Sequence, residues 1–163
     1  MSVQALQSTL QKMYKIHKSL YDLGTKKTDI VKKGDIKALD TLLKDEQKHV
    51  AAIRTLDEER KKQVYKMVSG HTIAGSEPTV TDCIDIAAGD DKQQLIHIQS
   101  QLTQIINELK QQNELNQQLL YQSLQFVNIS LDMLLPQPEV FNYEKPAMSE
   151  GPQPSRSLFD SKA

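Results

Sequence analysis

Apolar residues recur at steps of three and four through most of this chain, the period of one face of an α-helix. The first stripe runs Val3, Leu6, Leu10, Met13, His17, Leu20 and Gly24 and resumes at Ile30 and Val31, which predicts a helix over about residues 2–33. Gly34 supplies a C-terminal stop and Asp35 an N-cap for the next helix. So short a connection folds the second helix back antiparallel. That helix, about 36–68, keeps a heptad register through Ile36, Leu39, Leu43, Glu46, Val50, Ile53, Asp57, Arg60, Val64 and Met67. Three of these ten positions are charged. Asp57 and Arg60 stand three apart and are placed to pair at the margin of the seam.

The pattern breaks over 69–92, where Ser69-Gly70, Gly75-Ser76 and Glu77-Pro78 are turn signals. Thr79 through Asp82 has the form of a capping box, predicting a short helix over 80–88 whose Ile84, Ile86 and Ala87 cover the open end of the hairpin. Gly89 stops it, and a last helix is expected over about 91–135. Its stripe reads Leu102, Ile106, Leu109, then Leu120, Leu124, Val127, Leu131 and Leu134. Asn113 and Asn116 interrupt that face where leucines are expected. The opposite face is mostly glutamine: residues 93–135 hold eleven Gln and four charged side chains. At about 1.5 Å per residue this helix is roughly 65 Å long and outruns its own hairpin.

The expected fold is therefore all-α: an elongated antiparallel hairpin plus a third long helix in a coiled-coil-like bundle over 1–135, followed by a Pro-rich flexible tail over 136–163. The tail holds five of the six prolines. Two apolar islands stand out in it, one with Phe141 and Tyr143, the other with Leu158 and Phe159. They read equally as docking motifs and as segments that fold back onto the bundle.

Composition changes this picture little. The net charge of −1 steers the chain to no nucleic acid. The charge is uneven: residues 1–70 carry 15 basic and 9 acidic side chains, and 71–163 carry 5 and 12. The lone Cys83 excludes an internal disulfide framework and fits a reducing cytoplasm. A polar N-terminus argues against a signal peptide. The most apolar segment, 119–135, is broken by Gln122, Gln125, Asn128 and Asp132, so no membrane insertion is expected.

Candidate chemistry is sparse. Glu46 and His49 have the E-x-x-H spacing of di-iron bundles, but that chemistry needs a second such motif and two more carboxylates, and helix one has no glutamate. His49 reads as a solvated histidine. Cys83, His71 and His97 lack the tight spacing of a zinc site. Lys26, Lys27, Lys32 and Lys33 read as a solvated basic turn. No enzyme, metal or cofactor is expected.

The segment from Asn113 to Phe126, NELNQQLLYQSLQF, resembles the signature region of the FlgN family of flagellar export chaperones. The long first hairpin with Asp57-Glu-Glu-Arg60 late in helix two, and a Pro-rich tail ending in Leu158-Phe159-Asp160, are similar to that family as well. The resemblance implies a cytoplasmic helical chaperone that binds the C-terminal helices of the hook-associated, hook–filament junction proteins and brings them to the flagellar export gate. On that reading Leu109, Asn113, Asn116, Leu120, Leu124, Val127, Leu131 and Leu134 form the partner-binding face, and the asparagines set the register of the bound helix. Phe141, Tyr143, Leu158 and Phe159 are the docking residues of the tail. The alternative is a structural coiled-coil adaptor in which the same leucines face a second copy. Sizing of the free chain separates the two.

Overall fold

The computed structural model describes residues 2–73 and 75–134. They form four helices: α1 (Ser2–Lys33), α2 (Ile36–Val68), the short α3 (Val80–Ile86) and α4 (Gly89–Leu134). The all-α hairpin with a third long helix is thus borne out. The islands at Phe141, Tyr143, Leu158 and Phe159 lie outside the described residues.

The α1–α2 turn is made as its sequence requires. Gly34 takes a φ of 68°, a conformation open to glycine. Its amide donates to the Val31 carbonyl at 3.1 Å and the Asp35 amide to the Ile30 carbonyl at 3.3 Å, which closes α1. The Asp35 side chain then accepts from the Ala38 amide at 3.0 Å and opens α2.

α1 is the centre of the molecule. Both α2 and α4 pack along it, whereas among the described residues no Cα of α2 comes within 8 Å of one of α4, and the two share only side chains of the core. α3 bridges α2 and α4 at one end only. The core sits at that end: Leu6, Leu10 and Met13 of α1 meet Val64, Met67 and Val68 of α2, Cys83 and Ile84 of α3, and Leu95, Ile98, Leu102 and Ile105 of α4. Burial of this set is the main stabilising term, because each of these side chains contributes about 1.5–3 kcal/mol when fully removed from water.

This arrangement explains two departures from the periodicity. The heptad stripe of α2 is buried only near its end, at Val64 and Met67; Ile36, Leu43 and Val50 are exposed, and Ile36 and Val50 border an open groove that separates them from α4. On α4 the core face passes through Ile105, and Ile106 is 41% exposed. The buried series Leu95, Ile98, Leu102, Ile105, Leu109 and Asn116 is a heptad pattern that faces α1, joined at its first turns by α2 and α3 side chains.

α3 closes the hairpin end through its cap. Asp82 accepts from the Thr79 amide and hydroxyl, both at 2.7 Å, and Thr79 accepts from the Asp82 amide at 3.3 Å. The short helix drives Cys83 and Ile84 into the core, with Ile86 and Ala87 packed beside them. Burial pushes the Cys83 thiol up to about 11, and the Asp82 carboxylate adds to the shift. Such a thiol is packing material with little nucleophilic character near neutral pH.

Candidate partner-binding surface

The eight residues singled out on α4 do not share one environment. Leu109 and Asn116 are buried against α1, at 8% and 2% exposure. Asn113 is exposed and Leu120 is half-buried. Leu124, Val127, Leu131 and Leu134 are uncovered, at 62, 49, 46 and 80%. The stripe is continuous, but its first part is spent inside the molecule and its last part projects beyond the α1–α2 turn.

Asn116 marks the transition. Its side-chain amide donates to the Gly24 carbonyl at 2.8 Å, and its carbonyl oxygen accepts from the Thr28 hydroxyl at 2.6 Å. Gln112 donates to the same Thr28 hydroxyl and, at 3.4 Å, to the same Gly24 carbonyl. Gly24 makes this approach possible: a Cβ there would stand 3.1 Å from the Gln112 Cγ. The expectation that Asn116 faces outward with Asn113 is therefore corrected for the chain on its own. Its bonds are made to α1. Glycine at position 24 and threonine at 28 are the partners that periodicity did not reveal, although a Gly on an apolar stripe is a signal of close approach.

Beyond this layer a groove opens between α2 and α4 with α1 as its floor. One cleft, about 230 Å³, is lined by Leu20 and Lys27 of α1, Glu46 and Val50 of α2, and Asn113, Asn116, Gln117 and Leu120 of α4. A second, about 310 Å³ and mostly apolar, shares Leu120 and continues to Ile30, Val31, Ile36, Leu39, Leu124 and Val127 at the hairpin turn. The Lys27 ammonium lies 3.0 Å from the Glu46 carboxylate, both side chains about five-sixths buried, at 14 and 16% exposure. Lys27 thus leaves the basic turn in which the sequence placed it and pairs from the floor of the groove to its α2 wall. Its neighbour His49 is also engaged: Nδ1 donates to the Asp45 carbonyl and Nε2 accepts from the Ser19 hydroxyl, each at 2.8 Å.

Farther along α2, Asp57 and Arg60 pair at 2.8 Å, with Lys61 3.1 Å from the same carboxylate. Partial burial raises the Asp57 carboxyl, but the hydrogen bonds and charges of Arg60 and Lys61 outweigh it and hold the group below its ordinary value.

The end of α4 carries a second feature that a single-stripe reading missed. Leu115, Leu119, Phe126, Ile129 and Met133 fall on a face about 130° around the helix from the first stripe, by the helical repeat. Leu115, Phe126, Ile129 and Met133 are 44, 71, 55 and 80% exposed.

Two long helices sharing one central helix, with the longest running past the bundle bare of cover, define an elongated coiled-coil protein with an open helical end. No helix among the described residues is long and apolar enough to cross a membrane. The family model described as FlgN protein matches residues 1–151, and the chain belongs to the FlgN family, a family of flagellar export chaperones. It is 36% identical over 164 residues to YvyG, an uncharacterized protein of Bacillus subtilis (strain 168), with the whole of both chains covered. No solved structure matches.

Proposed function

We propose that this chain binds the amphipathic C-terminal helices of the hook-associated, hook–filament junction proteins in the cytoplasm, holds them unassembled and brings them to the flagellar export gate. The observation that carries this reading is the uncovered run Leu124, Val127, Leu131 and Leu134, which extends the apolar groove past the hairpin turn. Helices that polymerise through apolar stripes aggregate when free. A groove that ends in an overhanging helix lends such a stripe a complementary face, in the manner of helix-in-groove recognition. Leu120 and Asn113 line the way in, and the Lys27–Glu46 pair gives the groove one charged level at which a mismatched apolar helix is penalised. Leu109 and Asn116 support this surface from beneath. Phe141, Tyr143, Leu158 and Phe159 serve as docking islands of the tail.

The test is calorimetric titration of the full chain with the C-terminal segment of a hook-associated protein, repeated with Leu124→Ser combined with Leu131→Ser. Affinity falls by more than about tenfold, a loss of about 1.4 kcal/mol or more. The melting temperature stays within about 2 °C, since neither residue is in the core. Unchanged affinity in the double variant rejects the assignment.

A further inference from the structure

The second apolar face of α4 lies on the far side of the helix from α1 and the groove, so an occupant of the groove leaves it bare. We propose that this face pairs with the same face of a second copy of the chain, antiparallel, about a two-fold axis at the level of residue 124.

Three observations support a copy of this chain as the occupant. The spacing is self-complementary. With the axis at residue 124, Phe126 of one copy stands opposite Gln122 of the other, Ile129 opposite Leu119, and Met133 opposite Leu115. Each contact is thereby repeated with the roles of the two copies exchanged, as an isologous interface requires. The charge pattern permits it as well: residues 115–131 contain no Asp, Glu, Lys or Arg, so two identical helices approach over that length without like charges meeting. The exposed area is of the right order. At roughly 150–200 Å² per large side chain, Leu115, Phe126, Ile129 and Met133 offer roughly 400–500 Å² per copy, or roughly 800–1,000 Å² in the pair, the size of a weak, exchangeable interface. The bodies of the two copies then point in opposite directions, and each groove stays open.

At either end of the pairing Glu114 of one copy comes onto the same flank as Asp132 of the other. This like-charge contact keeps the association weak and exchangeable.

Sedimentation equilibrium of the full chain over a wide concentration range tests the proposal, with cross-linking through one introduced cysteine, beside the buried Cys83, to fix the geometry. The chain dimerises reversibly; Phe126→Gln with Ile129→Gln weakens the dimer by more than about tenfold, and Glu114→Gln with Asp132→Asn tightens it. Leu124→Ser with Leu131→Ser, on the groove face, leaves it unchanged, so failure here is separate from failure of partner binding. Gln122→Cys and Phe126→Cys chains form a disulfide when mixed and far less when oxidised separately. A monomer at all concentrations, a dimer indifferent to Phe126 and Ile129, or equal cross-linking of the separate chains overturns the proposal.

Discussion

Asn116 sits in an otherwise apolar seam, and a buried amide is tolerated only when its hydrogen bonds are made. Here they are made to Gly24 and Thr28. Asn116→Ala removes both and leaves the Thr28 hydroxyl and the Gly24 carbonyl with each other and Gln112, at an expected cost of about 1–3 kcal/mol in urea unfolding. Asn113→Ala, on an exposed side chain, changes stability by less than about 0.5 kcal/mol. A matching loss in both variants contradicts the separate environments seen here. The sequence shows both asparagines on the stripe but does not separate them. Three residues advance a helix by about 300°, leaving the two side chains some 60° apart, and only the position of α1 decides which one is covered. The Asp57–Arg60 pair was legible because its spacing is local. The Lys27–Glu46 pair joins two helices and depends on a register that periodicity leaves open.

α3 was readable because its start is written in four consecutive residues. Thr79 and Asp82 exchange hydrogen bonds across the first turn, and those from Thr79 hold the Asp82 carboxyl below its ordinary value. A carboxyl depressed by folding contributes stability that is present above the unfolded value of about 3.9 and lost as pH falls through the folded value. Acidification below about pH 4 therefore loosens α3, and Asp82→Asn removes that part of the acid sensitivity. Cys83 reports the event, since it is wholly buried on α3. A thiol reagent active in acid labels it faster as pH drops in the wild type, with a flatter profile in Asp82→Asn. A labelling rate with the same pH dependence in both proteins contradicts the role of the cap. That Cys83 belongs to the core was hidden in the sequence. A lone cysteine packs as a small apolar residue without altering any periodicity.

Across the whole molecule, the buried core and the uncovered apolar surface of α4 lie at opposite ends. Leu10, at 1% exposure, lies in the cluster closed by α3, and Leu10→Ala is expected to cost about 2–5 kcal/mol of folding stability. Leu131→Ala, at the far end of α4, costs less than about 0.5 kcal/mol in the same unfolding measurement. Equal losses would mean that the overhang is core. Helix number, order and the excess length of α4 were all legible, because each follows from apolar period and turn residues. The arrangement of the helices was not. A stripe announces that a face will be covered without saying by what, so the heptads of α2 and α4 look alike although that of α2 is buried only near Val64 and Met67 and that of α4 only as far as Asn116. The second stripe of α4 was overlooked for a related reason: a helix apolar on two sides shows a blurred period.

The wide spacing of the α2 and α4 backbones has a mechanical consequence. The two helices are joined firmly where α3 clamps them and are otherwise linked only through α1, in the manner of a pair of tweezers closed at the handle. Beyond the clamp each jaw is held only by its own contacts with α1, so the gauge of the groove is set by α1 and not by the jaws themselves. Under the proposed function, helices of different girth would be gripped by one set of leucines through a small tilt of α2 or α4 on α1.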